Sequence, residues 1–390
     1  MIRQRFLIPI SHGLCVTTLI VFVIAVDSLR AGESIITNSP SASLSRIGSQ
    51  SWLSGGTGVV SNRGLSASFT NPAALSLNDP EISLEMGYQT KASWLYNDIS
   101  YNGTVIPTFV SAGIPVFGFS LSISYACLYS QRLEYSPTII RTESNPDGNG
   151  EYVTPIFIRD IHSFAVSLRY PLFSWCAIGT TLGLNHAHLN DSWGLISNHG
   201  TGYGALVIGG IFLSPLNSVN AGATIRYTSQ IDMDMNWMPV SNRGNYVLAY
   251  PKYVAQLPLT VEAGCSWQPD PAIQLSASYE FQNWKDLSAG TNEYNNTENL
   301  HLGAAIRLQP ILMLRAGYCT QHDPLSPETD QKFITAGIDI TMGRLNFTFG
   351  VMDSHPFKNP ESTYPYWHFV PFHQTSFVTS FSYRFSKFLE

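Results

Sequence analysis

His186 and His188 stand two positions apart, a spacing that puts both imidazoles on one face of a strand, where they could chelate a metal. No third ligand is evident beside them, so a pair satisfied by its neighbours is the reading. Neither flanks an obvious serine nucleophile, and no Gly-x-Ser-x-Gly elbow occurs in the chain. Gly200, Gly202 and Gly204 fall in a strand-like stretch and lack the following helix that would cradle a phosphate. Cys127, Cys176, Cys265 and Cys319 are far apart with no metal-ligand spacing, and read as small apolar side chains on a wall. The spacing thus points away from an enzyme, a metal site and any cofactor. The remaining chemistry lies in the arginines. Arg169, Arg226, Arg307, Arg315 and Arg384 could each give a charge-assisted hydrogen bond to a carboxylate, or hold neighbouring acids such as Glu262 and Glu280. Met233, Met235, Trp237 and Met238 supply the opposite chemistry, an adaptable greasy surface.

What positions these residues is a chain of 390 residues of which only 12% are charged, about half the ~25% usual in soluble proteins. The net charge of −6 and the scattered Lys and Arg exclude a nucleic-acid partner. At the N-terminus Arg3 and Arg5 precede an apolar run from Leu14 to Val26, then Ser28, Leu29, Arg30 and Ala31, the pattern of a signal peptide over residues 1–31. Cleavage is expected after Ala31, with Ala25 as the second choice. The run is shorter than the ~20 residues of a spanning helix.

From residue 81 onward the apolar period is two. Ile273, Leu275, Ala277, Tyr279 and Phe281 alternate with Gln274, Ser276, Ser278, Glu280 and Gln282, and Phe377, Phe381 and Tyr383 with Ser376, Ser380, Ser382 and Arg384. Fourteen such stretches follow one another. Tight connections around Pro115, Pro171, Pro215, Pro269, Pro310 and Met342 alternate with long ones over 92–103, 131–160, 188–199, 232–256, 286–297, 323–330 and 354–373. The expected fold is all-β, a 14-stranded antiparallel transmembrane β-barrel over 81–390, multi-pass in the outer membrane. Hydrocarbon demands closure, because an unpaired backbone group costs several kcal/mol there. Greasy side chains then face lipid. Tyr88, Tyr129, Tyr170, Tyr227, Trp267, Trp284 and Tyr383 form an aromatic girdle near strand ends, and Glu85, Arg169, Arg226, Glu262, Glu280, Arg307, Arg315, Asp339 and Arg384 face the lumen.

Such a balanced lumen suits an interior filled by protein. Residues 32–80, rich in Ser and Gly, can supply the filling as an N-terminal plug, since Ile47, Trp52, Leu53, Val59 and Val60 would otherwise meet water. Within it Pro72 fixes a bend and Asn71 can tie backbone groups where plug meets wall.

Three stretches resemble the FadL type of outer-membrane transporter for long-chain fatty acids and other hydrophobic compounds. Asn71, Pro72 and Ala73 are similar to that family's hatch signature. Leu257 to Val261 with Gly264, Trp267 and Pro269, then Leu275 to Ala277, Tyr279 and Trp284 to Asp286, resemble its central strands. Leu314 to Tyr318 with Phe333, Thr335, Ala336 and Gly337 complete the likeness. It implies passive uptake of a long-chain fatty acid or another hydrophobic small molecule, captured by outer loops and passed through a plugged barrel. The alternative is a barrel with a structural, secretion-assembly or adhesion role and no small-molecule ligand.

Overall fold

The computed structural model describes residues 33–34, 47–61, 64–89, 92–94, 99–101, 104–135, 138–140, 151–154, 156–192, 196–239, 253–287, 293–325, 330–354, 356–357 and 374–386. The chain divides into two compact units, Met1–Gly32 and Glu33–Glu390, and every described residue belongs to the second. The expected leader, 1–31, lies outside the described residues, as do Tyr364, Tyr366, Trp367, Phe369 and Phe372 of the last long connection.

A closed antiparallel barrel of fourteen strands forms the wall. Its strands are β1 Glu81–Gln89, β2 Thr104–Val116, β3 Phe119–Tyr135, β4 Ile156–Phe173, β5 Cys176–Ser192, β6 Ile196–Leu216 and β7 Val219–Thr228. They continue as β8 Leu259–Asp270, β9 Ile273–Asn283, β10 Thr297–Gln309, β11 Leu312–Gln321, β12 Gln331–Met342, β13 Leu345–Asp353 and β14 Thr375–Arg384. Each pairs with its sequence neighbour, and β1 closes on β14 from Glu81 opposite Arg384 to Gln89 opposite Ser376. Closure leaves no edge strand unpaired.

The period-two pattern sets the faces. In β4, Phe164, Val166, Leu168 and Tyr170 are exposed on the outside while Ser163, Ala165 and Ser167 are buried. In β9, Ile273, Leu275 and Tyr279 point out and Ser278 and Gln282 are buried; in β13, Phe347 and Phe349 flank the buried Thr348. A continuous apolar exterior over a hydroxyl-rich interior is the arrangement hydrocarbon requires.

Four expectations are corrected. Tyr129 and Trp284, assigned to the outer girdle, are fully buried inside. At Tyr129 a bulge between Cys127 and Tyr129 shifts the β3–β4 register and turns the side chain inward. Trp284 follows the end of β9 and gives its Nε1–H to Gln282 Oε1 at 2.7 Å. The connection 188–199 is mostly strand, because β5 and β6 stay paired out to Ser192 opposite Ser197. Within 232–256 a further strand, Asp234–Pro239, pairs with the first residues of β6, so Met235, Trp237 and Met238 lie in a strand opposite Gly200, Asn198 and Ser197. Strands also extend into 131–160, β3 running to Tyr135 and β4 starting at Ile156. Alternation alone could not show where strands outlast the apolar belt.

Inside the wall, residues 47–61 and 64–77 form an inner segment with three short helices, α1 Ser49–Leu53, α2 Gly58–Ser61 and α3 Ala67–Thr70, followed by a 3-10 turn at Pro72–Ala74. Helices of four or five residues are unstable alone, so their order comes from the wall. Leu53, Val59, Val60, Leu65, Phe69 and Leu75 are all buried.

Candidate functional site

The inner segment is tied to strands all round the barrel. Where α1 begins, the Gly48 and Ser49 amides donate to the Glu85 carboxylate of β1, which also takes the Thr108 hydroxyl of β2. Ser49 Oγ meets Ser380 Oγ of β14 at 2.7 Å. At the end of α1, Thr335 of β12 donates to Leu53 O at 3.0 Å and accepts from Gly55 N at 3.2 Å, while His301 Nδ1 of β10 reaches Gly55 O at 2.8 Å. On the opposite wall Thr181 Oγ1 of β5 donates to Ser68 O at 2.6 Å.

Asn71, Pro72 and Ala73 form the tightest of these seats. Asn71 is fully buried and its side chain makes three hydrogen bonds. Nδ2 donates to Val59 O at 2.8 Å and to Ile211 O of β6 at 3.1 Å, and Oδ1 accepts from Ala73 N at 3.1 Å. Pro72 needs no amide partner at the start of its turn. Its carbonyl carbon rests on the backbone of Gly179, where an added β-carbon would stand 2.2 Å away. Glycine is required there by close approach. The sequence signal was an isolated inward glycine within a strand, a mark of nearby backbone.

The lumen charges fall into two sets. Arg169 Nε donates to Ala73 O at 3.0 Å, and Arg226 Nη2 to Phe69 O at 2.7 Å. Arg315 makes a buried ion pair with Asp339 at 2.6 Å and gives Nη1 to Ser54 Oγ at 3.1 Å. Glu262 and Glu280 face the interior across from each other on β8 and β9. Arg307 and Arg384 are exposed beside the tight turns, where with Leu65 and Ser66 of the inner segment they line a polar opening of about 450 Å³. Arg384 pairs there with Glu81 at 3.2 Å. They stand next to the turns, where the alternation carries them beyond the occluded region.

Toward the long connections the inward face carries apolar side chains between polar ones such as Gln131, Arg159 and Asp191. Tyr129, Ile161, Leu189, Leu206, Met233 and Leu257 belong to one buried cluster with Phe69 of the inner segment. Met233 is 8% exposed, an interior residue and not a rim residue. His186 and His188 lie on β5 outside this cluster. His186 faces Tyr203 at 4.9 Å between ring centroids and pairs in register with His162. Among the described residues no group of three His, Cys, Asp or Glu is set to hold a metal. Cys127, Cys176 and Cys319 are buried and Cys265 is exposed.

No family model matches the chain, and no curated protein matches it in sequence. Solved structures do match. The barrel overlays the Ralstonia pickettii toluene transporter TbuX with a TM-score of 0.67 at 14% identity, over 88% of this chain and 99% of that one. The Pseudomonas putida toluene transporter TodX gives 0.66 at 15%, again over 88% and 99%. A Pseudomonas aeruginosa FadL homologue gives 0.63 at 13%, with the same coverage. The fold is therefore that of FadL-type transporters, as the three sequence stretches implied.

Proposed function

We propose that the chain is a passive transporter of hydrophobic small molecules in a bacterial outer membrane. In this reading residues 1–31 direct export, 32–80 act as the hatch and 81–390 form the membrane barrel, whose outward face meets outer-membrane lipid. The observation that carries it is a closed barrel with an apolar outer face that also holds a large buried apolar cluster within its interior. That cluster includes Tyr129, Ile161, Leu189, Leu206, Met233 and Leu257, interleaved on the inward faces with polar side chains such as Gln131, Arg159 and Asp191. An apolar cluster inside the barrel suits a greasy cargo better than it suits a barrel that only displays loops. Long-chain fatty acids are the cargo implied by the sequence resemblance. Uncharged aromatics are the cargo suggested by neighbours described as toluene transporters.

Capture is assigned to Met233, Met235, Trp237 and Met238. Met233→Ala and Trp237→Ala are each expected to weaken binding of a hydrophobic ligand about tenfold, from roughly 1.4 kcal/mol of lost apolar contact. The outward Leu275→Ala should leave it unchanged. Titration of detergent-purified protein with fatty acids, alcohols and aromatics reads this directly. A barrel that serves only for display binds none of them.

A further inference from the structure

We infer that the outer wall holds one phosphate-bearing lipid of the outer leaflet, its acyl chain in a groove across β10 to β13 and its phosphate on Lys332. This rests on the barrel's place in the membrane and not on any cargo. The groove has a volume of about 590 Å³ and opens on the outward face. Its floor is Ala304, Ala316 and Ala336, which stand side by side on β10, β11 and β12. Toward the tight turns Leu314, Ile338 and Phe349 bound it as a ridge. On β4 the outward residues are Phe164, Val166 and Leu168; here methyl groups take the place of such side chains, and the wall is hollowed.

The dimensions select the occupant. With strands about 4.8 Å apart, a hollow reaching from β10 to β13 is about 14 Å long, while the two-residue repeat along a strand makes it only about 7 Å wide. That is the outline of an extended chain. A second barrel presents a convex wall, which cannot follow so narrow a trough, whereas an acyl chain can lie along it and bury its methylenes.

Lys332 supplies the charge. It is exposed on the same face of β12 as Ala336, four residues nearer the long connections, or about 13 Å along the strand. A lysine on a lipid-facing wall runs its stem along the apolar surface and carries the ammonium to the headgroups, where phosphate is its counter-ion. Among the described residues Lys332 makes no hydrogen bond or ion pair. The acids of this region are engaged otherwise: Glu298 with the Tyr279 hydroxyl, Asp330 with His322, and Asp353 with Thr375. A free cation above a hollow on one face of the wall matches an anionic headgroup with its chain below it. A neutral lipid would use the groove alone.

The test is native mass spectrometry of the full-length protein in uncharged detergent, titrated with dilauroyl phosphatidylglycerol and, separately, with dilauroyl glycerol. The first phosphatidylglycerol is expected to bind about tenfold more tightly than those that follow, and about fivefold more tightly than dilauroyl glycerol. Lys332→Gln should erase the difference between the two lipids. Ala316→Leu fills the floor of the groove and should weaken both about tenfold, with Ala336→Leu as the second variant if the first folds poorly. Ala205→Leu, exposed on the outward face of β6, should weaken neither. Successive lipids of equal affinity overturn the inference, as does a lipid difference that survives Lys332→Gln or a first affinity that both leucines leave unmoved. The transport reading stands apart from all of these outcomes.

Discussion

Valine at Gly317 is expected to unseat the inner segment and make the barrel leak ions. A β-carbon at this inward position of β11 would stand 2.2 Å from Gly55 N and 2.6 Å from Gly55 Cα. What it meets is backbone, which cannot swing aside as a side-chain tip would. Gly55 cannot yield either. It holds φ at 67° in the turn after α1, and its own added β-carbon would lie 2.2 Å from Leu302 O. Overpacking of this kind costs about 1–3 kcal/mol. Parting the two backbones also loosens the hydrogen bonds of Gly55 with Thr335 and His301, about 1 kcal/mol each. The unaltered protein in a planar bilayer should conduct little, and Gly317→Val should open steady pores and expose residues 47–77 to protease. Conductance and cleavage equal to those of the unaltered protein would show that this contact does not hold the segment.

Removing the Arg315 guanidinium should cost a large share of the barrel's stability. Both partners of its pair with Asp339 are nearly excluded from solvent, with side chains 7% and 6% exposed. Asp339 is further fixed by the Thr348 hydroxyl at 2.7 Å. Arg315→Met strands a buried carboxylate, a loss of about 3–5 kcal/mol. Adding Asp339→Asn removes that charge and should restore most of the loss. The readout is the urea midpoint for unfolding from lipid vesicles, compared across both single variants and the double. If Arg315→Met alone unfolds at the midpoint of the unaltered protein, the pair is not what holds β11 to β12. Because Arg315 also donates to Ser54 Oγ, the same variant should loosen α1 from the wall.

The wall was legible in the sequence because its physics is local. A strand with oil on one side and protein on the other must alternate, and Phe164 to Tyr170 or Leu345 to Phe349 show this without help from the rest of the chain. Tyr129 was misplaced because a bulge changes facing without changing composition. Met235 and Trp237 read as loop because the partner that makes them strand is β6, more than thirty positions away. Asn71, Pro72 and Ala73 could be picked out, since proline and a short amide have definite backbone uses, yet their carbonyl partners Val59 and Ile211 could not. Glu85 looked like any other inward acid. Its role as acceptor for the first amides of α1 exists only once the inner segment is threaded through the barrel. The division of arginines into seated and rim-exposed likewise follows from height in the wall, which period two does not encode.

The central claim is that the barrel passes hydrophobic molecules while the inner segment shuts out polar ones. Proteoliposomes loaded with a hydrophobe-binding dye and carrying the protein should take up toluene or a long-chain alcohol faster than protein-free vesicles, with no gain in sucrose entry. Equal hydrophobe uptake with and without protein, or sucrose entry through the unaltered barrel, would contradict it.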